Sequence, residues 1–237
     1  MNKWSKIFGK NCNYIKHKPE VLMAYSLYGM VYSYKYNITH FIEIIKFISK
    51  NLNIKKKSSL LDFGSGNGAF LSLLINYFSL KKNISIEINN YFLNFQKKFI
   101  KSTKFYLGNS SKDLKKIKTN SVDNIMCNSV FQYFSNEKVA QDILLEFVRI
   151  CKKRILIYVI LDDAKKIKYK KEVRLRQNLS SYKFKKKYKY TPIRFYSRSF
   201  FLKNQHLKNV TKSIKIINLL KNSLDSKFAY CCVIKKK

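Results

Sequence analysis

The chain is poor in acid, glycine, proline and alanine. Of its 237 residues, 13 are Asp or Glu against 49 Lys or Arg, a net charge of +36, while Gly, Pro and Ala number 6, 2 and 5. So little Gly and Pro excludes a collagen-like or low-complexity chain, and 46% hydrophobic residues suffice for one packed core. Long apolar runs are missing as well: the longest, Ile155–Leu161, has seven residues where a membrane span needs about 20. The first twenty residues hold no continuous apolar stretch. Neither a transmembrane anchor nor a secretory leader is therefore expected, and the expected compartment is the cytoplasm. The five cysteines (Cys12, Cys127, Cys151, Cys231, Cys232) form no C-x-x-C pair and no zinc spacing. They read as reduced, buried, small hydrophobes, and no metal site is expected.

Arginine is scarce too, with 6 against 43 Lys. Residues with A/T-rich codons (Lys, Asn, Ile, Tyr, Phe) are abundant and those with G/C-rich codons are few, so compositional bias accounts for much of the charge. Nucleic-acid readers lean on the planar Arg fork, and its scarcity argues against nucleic acid as the main partner. The charge keeps an RNA-binding reading open all the same. It is also uneven: residues 1–150 carry 23 bases and 9 acids, residues 151–237 carry 26 bases and 4 acids.

Periodicity then orders the chain. Ile38, Phe41, Ile42, Ile45, Ile48 and Leu52 fall at helical spacing, which predicts an amphipathic helix over 38–52 with Asn37 as its cap. Residues 1–36 are Tyr-rich, and Tyr25, Tyr28 and Tyr32 suit a helix packed on the rest. From Ser58 onward short apolar runs alternate with helices: strands at Leu60–Phe63, Ile84–Ile88, Lys104–Leu107 and Val122–Cys127, helices at Gly68–Phe78, Tyr91–Lys101 and Glu137–Cys151. Ser135 is the expected cap of the last helix, and Val139, Ala140, Ile143, Leu144 and Phe147 form its apolar stripe. Arg154–Leu161 reads as a buried strand. Such alternation predicts a parallel sheet covered on both faces. Ile214–Leu219 and Phe228–Ile234 are separated by only eight residues, too few for a helical crossover, so they are expected to pair antiparallel. Between them and β-strand five lies a Lys/Tyr-rich stretch, 162–206, in which Pro192 is expected to interrupt a helix.

One motif carries chemistry. Residues 60–70 read LLDFGSGNGAF, a buried strand running into Gly64, Gly66 and Gly68 and then a helix. Bare backbone there lets N–H groups and a helix N-terminus approach a ligand that a Cβ would strike. Nineteen residues past Gly68, at the end of the second strand, Glu87 can accept both hydroxyls of a ribose. An adenosine-type cofactor follows. Gly64, Gly66 and Ala69 also satisfy G-x-G-x-x-G/A, which keeps a nicotinamide oxidoreductase in consideration.

Asp62-x-Gly64-x-Gly66-x-Gly68 resembles the first motif of the class I S-adenosylmethionine-dependent methyltransferases. The likeness continues at Glu87, at the turn Gly108-Asn109-Ser110, at Ser121–Tyr133, which looks like that family's fourth strand and following loop, and in the antiparallel pair at the end. It implies a Rossmann-like α/β three-layer sandwich, with a mostly parallel seven-stranded sheet whose last strand is antiparallel. It further implies S-adenosylmethionine as cofactor, held by Asp62, Gly64, Ser65, Gly66, Gly68, Glu87, Asn109, Ser110 and Asn128. Asp62 would order the turn through backbone N–H groups or reach the methionine ammonium through water. Asn109 departs from the family's Asp at the adenine, but its amide oxygen can still accept from the amino group. On this reading residues 1–57 form a helical extension and 58–237 a methyltransferase domain with a basic, lid-like insertion around 164–206.

The acceptor is narrowed by absence. Amino-methylating nucleic-acid enzymes of this superfamily carry an Asn/Asp-Pro-Pro-aromatic loop where this chain has Asn128-Ser129-Val130-Phe131. Carbon-5 pyrimidine enzymes need a Cys after Pro, and Cys127 follows Met126. Small-molecule acceptors are therefore favoured over RNA. Residues 164–190 hold 12 bases and one acid, Glu172, with Tyr169, Tyr182, Phe184, Tyr188 and Tyr190 interleaved. A stretch of this kind after the fifth strand suits a basic cover attracting an anionic acceptor. Gln132 and Tyr133 stand on the acceptor side. Asp162, Asp163 and His206 are expected to be structural, and no catalytic base is assigned.

Overall fold

The computed structural model describes residues 38–178, 180–183, 186, 193–221 and 224–237. Tyr25, Tyr28, Tyr32 and Cys12, as well as Pro192, Lys185 and Lys187, lie outside the described residues, as do Phe184, Tyr188 and Tyr190.

Seven strands form one sheet: β1 (Leu60–Phe63), β2 (Asn83–Glu87), β3 (Thr103–Leu107), β4 (Val122–Asn128), β5 (Cys151–Leu161), β6 (Thr211–Asn218) and β7 (Ala229–Lys236). Their order is β3-β2-β1-β4-β5-β7-β6. The first five pair parallel, and β7 runs antiparallel between β5 and β6. α1 (Ile38–Leu52) precedes the sheet; right-handed crossovers demand helices between the parallel strands, and α2 (Ala69–Phe78), α3 (Asn90–Phe99), the short α4 (Ser111–Leu114) and α5 (Glu137–Ile150) supply them. After β5 come α6 (Lys166–Arg176), α7 (Arg198–Leu202) and α8 (Gln205–Val210).

Alternation along β1 sends Leu61 and Phe63 to one face and Leu60 to the other, so each face carries its own core. Ile143, Leu144 and Phe147 of α5 pack with Phe63, joined by Tyr196, Phe201 and Leu207. On the opposite face Ile44, Ile45, Ile48 and Leu52 of α1 pack with Leu71 and Leu74 of α2 and Tyr158 of β5. Cys127, Cys151, Cys231 and Cys232 are free thiols buried in this interior.

Three local features differ from expectation. The cap of α5 is Asn136, whose side chain accepts from the Val139 N–H at 2.9 Å. Ser135 instead offers its carbonyl to the Arg194 guanidinium. Val159 sits at φ +60° inside β5, at the register irregularity between Ile157 and Ile160, a conformation a β-branched side chain resists. Finally, the later part of the Lys/Tyr-rich stretch 162–206 joins the core. The Tyr196 N–H donates to the Leu161 carbonyl, and Tyr196, Phe201 and Leu207 are fully buried. No helix among the described residues is long and apolar enough to cross a membrane.

Candidate cofactor and acceptor site

The glycine turn lies at the carboxyl ends of β1, β2 and β4, where an open parallel sheet leaves its crevice. Gly64 N–H and Ser65 N–H both donate to the Ile86 carbonyl of β2 (2.8 and 3.2 Å), and the Gly68 N–H closes the turn on Ser65 (2.9 Å). The three glycines serve different neighbours. A Cβ on Gly64 would stand 2.3 Å from a Val130 methyl, and one on Gly68 2.5 Å from Ile100 and 2.7 Å from Gln96. At Gly66, at φ +57°, it would meet nothing within 4 Å. Two of the glycines therefore admit protein side chains, and Gly66 alone opens onto space a ligand can fill.

Glu87 grips this turn. Its Oε2 accepts from the Gly66 N–H and its Oε1 from the Asn89 N–H, both at 2.8 Å. Asn89 in turn caps α3 by accepting from the Tyr91 N–H at 2.9 Å. Burial raises the Glu87 carboxyl to about 7 despite these backbone donors. The carboxyl of Asp62, a residue 2% exposed, accepts no hydrogen bond among the described residues. Its carboxyl is raised to about 8, chiefly by burial and further by the negative charge of Glu87. Of its two expected roles, ordering the turn thus falls to Glu87. A buried acid without a donor is a group in want of a cation.

At the end of β3, Asp113 organises the Gly108-Asn109-Ser110 turn. Its Oδ2 accepts from Asn109 N–H (3.2 Å), Ser110 N–H (3.2 Å) and the Ser110 hydroxyl (2.7 Å), and Ser110 caps α4 reciprocally. These donors hold the Asp113 carboxyl below its usual range against the opposing effect of partial burial. The two backbone N–H groups are consumed within the chain, which leaves the Asn109 amide as the polar group this turn presents.

Asn128 ends β4, with its Oδ1 accepting from the Ser129 hydroxyl at 3.1 Å. The following 3-10 turn, Phe131–Tyr133, brings Gln132 and Tyr133 into the region of the glycine turn, since Val130 abuts Gly64. That turn is pinned from outside: the Tyr196 hydroxyl donates to the Phe131 carbonyl (3.0 Å) and the Arg194 N–H to the Gln132 carbonyl (2.9 Å). Gln132 is 5% exposed, and its buried Oε1 has no hydrogen-bond partner.

The remaining candidates separate from this cluster. Asp162 caps the turn after β5 by accepting from the Ala164 N–H (3.1 Å) and pairs with Arg198 (3.2 Å). Asp163 is exposed and pairs with Lys166, and His206 is exposed on α8, which packs on α5 and β6. The basic stretch begins as α6, which buries no residue and is held by the Tyr169 ring edge-on to Phe195 and Phe228. Sequence reasoning missed Gln96, Ser85, Tyr196 and Arg194. Gln96 left a trace, as the single polar residue on the stripe Phe92, Leu93, Gln96, Ile100.

Residues 61–159, from β1 through most of β5, match the family model described as a methyltransferase domain. No curated protein sequence matches the chain. Among solved structures, magnesium protoporphyrin IX methyltransferase from Synechocystis PCC 6803, with bound S-adenosylhomocysteine, aligns over 100% of this chain and 96% of its own at 9% identity and a TM-score of 0.62. Geranyl diphosphate C-methyltransferase from Streptomyces coelicolor A3(2), in complex with Mg2+, geranyl diphosphate and S-adenosylhomocysteine, aligns over 82% of this chain and 78% of its own, at 12% and 0.55. The Haloferax volcanii putative methyltransferase and Trm112 activator complex gives 80% and 88%, at 12% and 0.55.

The domain match over residues 61–159, the strand order and the glycine turn agree with the fold of these solved methyltransferases. Residues 61–159 thus read as a methyltransferase domain, a class that uses S-adenosylmethionine.

Proposed function

We propose that the chain methylates a small anionic acceptor, a phosphate- or carboxylate-bearing sugar or metabolite. The observation that carries this reading is the placement of α6. It leaves the carboxyl end of β5, on the cofactor side of the sheet, with five lysines and two arginines between Lys165 and Arg176 and one acid, Glu172. Cations concentrated at a crevice raise the local concentration of anions. The acceptors for which two of the solved neighbours are named, magnesium protoporphyrin IX and geranyl diphosphate, are small molecules.

The residues present fit the cofactor. Gly66 offers bare backbone facing open space, and Asp62 is a buried carboxylate awaiting the methionine ammonium, directly or through water. On this reading Gly64, Ser65 and Gly68 shape the turn, and Glu87 accepts the ribose hydroxyls on the lone pairs its two backbone donors leave free. Asn109 accepts from the adenine amino group on a turn that Ser110 and Asp113 hold in shape, and Asn128 bounds the floor of the site. Bound S-adenosylmethionine supplies a methyl group on a sulfonium, already activated for in-line displacement. The chain's part is to align the acceptor and exclude water, with Gln132 and Tyr133 on the acceptor side.

Transfer of labelled methyl from S-adenosylmethionine into a cell extract, fractionated into nucleic acid, protein and small molecules, tests the acceptor class. Label is expected among anionic small molecules, and label in RNA would replace this reading by an RNA methyltransferase. With the acceptor in hand, Lys168→Gln together with Lys171→Gln should raise its KM several-fold and leave the KM for S-adenosylmethionine unchanged. An unchanged acceptor KM would remove α6 from recognition.

A further inference from the structure

Gln96 is fully buried on α3, and two of its three described side-chain hydrogen bonds reach the cofactor turn. Its Nε2 donates to the Gly66 carbonyl at 2.7 Å and to the Ser65 hydroxyl at 2.8 Å. Its Oε1 accepts from the Ser85 hydroxyl at 2.7 Å, and the Ser65 and Ser85 hydroxyls are themselves 2.7 Å apart. The amide orientation is fixed by this pattern, because a backbone carbonyl can only accept. The side chain reaches the turn through the space that Gly68 leaves bare.

Gly66 is thereby held on both sides. Its N–H donates to Glu87 at the end of β2, and its carbonyl accepts from Gln96 on the helix that follows. The one residue of the turn that opens toward a ligand is clamped by two side chains of the same strand-helix unit. A buried amide must be desolvated and returns little net stability for its hydrogen bonds. What the amide adds is a single geometry for the peptide units around Gly66.

We propose that Gln96 is a positioning residue for S-adenosylmethionine, fixing the Gly66 turn so that its backbone and Glu87 meet the ribose and methionine end together. The proposal rests on the cofactor and not on the acceptor class. It is tested by calorimetric titration of the full chain with S-adenosylhomocysteine, alongside thermal melts and amide hydrogen exchange at Gly66.

Gln96→Met keeps the volume and removes the three bonds; it should weaken the Kd at least fivefold and speed Gly66 exchange, with a drop in Tm of a few degrees from the polar groups left without this partner. Gln96→Glu keeps the shape but sets an acceptor against the Gly66 carbonyl, and should weaken binding further. Leu93→Ala, which empties part of the same buried stripe, should lower Tm while leaving the Kd within twofold. The proposal is overturned if Gln96→Met binds within twofold of the parent, or if Leu93→Ala weakens binding as much as Gln96→Met does. A parent chain that binds no S-adenosylhomocysteine at all would overturn the cofactor assignment and this proposal together, an outcome distinct from either of those.

Discussion

At the scale of single residues, the glycine turn separates two properties that one motif usually conflates. Gly68→Ala drives a methyl into Ile100 and Gln96, so it should cost stability first, lowering Tm by several degrees whether or not ligand is present. Gly66→Ala meets no atom of the chain and bears only the left-handed backbone penalty, roughly 1–2 kcal/mol. It should melt within a few degrees of the parent yet lose S-adenosylhomocysteine affinity at least tenfold by calorimetry, because the new methyl occupies ligand space. The acid pair makes a second prediction. Asp62 and Glu87, raised to about 8 and about 7, bind protons in the fold that the unfolded chain has already released. The ligand-free protein therefore loses stability as pH climbs from about 4 through 8, by on the order of a few kcal/mol, and the loss levels off above. Asp62→Asn should flatten much of that decline in Tm against pH. Cofactor binding runs the other way and should tighten toward pH 8, since the methionine ammonium favours an ionised Asp62. Sequence alone displayed Asp62, the three glycines and Glu87 by type and spacing. It could not say that two glycines yield to Val130 and Gln96, because that depends on side chains meeting across strands far apart in the chain.

At the scale of elements, periodicity located most of the helices and strands. The stripe residues Ile45, Ile48 and Leu52 of the first helix and Ala140, Ile143, Leu144 and Phe147 of the last are buried as their spacing predicts, and the runs at Leu60–Phe63 and Val122–Cys127 are largely buried. What it missed lies after β5. Tyr196 and Phe201 stand among Lys, Arg and Ser, a local context that reads as solvated, and only the pairing of Tyr196 with the ends of β4 and β5 makes them core. Val159 was equally hidden, since a β-branched residue in an apolar run gives no sign of a left-handed backbone. Tyr196→Phe tests the link between this segment and the acceptor turn. It deletes the donor to the Phe131 carbonyl, leaving that buried oxygen without this partner at about 1–3 kcal/mol. Tm should drop by a few degrees, and the acceptor KM should rise while S-adenosylhomocysteine affinity holds within about twofold. Equal losses in both affinities would mean that the segment supports the whole crevice rather than its acceptor side.

At the scale of the whole molecule, the α/β alternation and the short spacing of the last two strands gave the layer order and the reversed strand, whereas the charge resisted interpretation. A net +36 on 237 residues is a repulsive field that the fold must withstand. Seven acids are held in ion pairs among the described residues, including Asp123 with Lys153, Glu146 with Arg149 and Asp162 with Arg198. Little attraction is therefore left for salt to screen, since 13 acids stand against 49 cations. The Debye length shrinks from about 30 Å at 0.01 M to about 10 Å at 0.1 M, which spans the spacing of surface cations. Tm should therefore rise by several degrees when NaCl increases from 10 to 300 mM, the opposite of a protein that leans on surface ion pairs. Repeating the melts with α6 neutralised at Lys168 and Lys171 decides whether that charge is diffuse or focused. If compositional bias spread it evenly, two substitutions barely alter the salt slope. If the cations around the crevice are the crowded ones, the double variant should melt higher at low salt and converge on the parent at 300 mM, and the stability regained would measure the field available to an anionic acceptor.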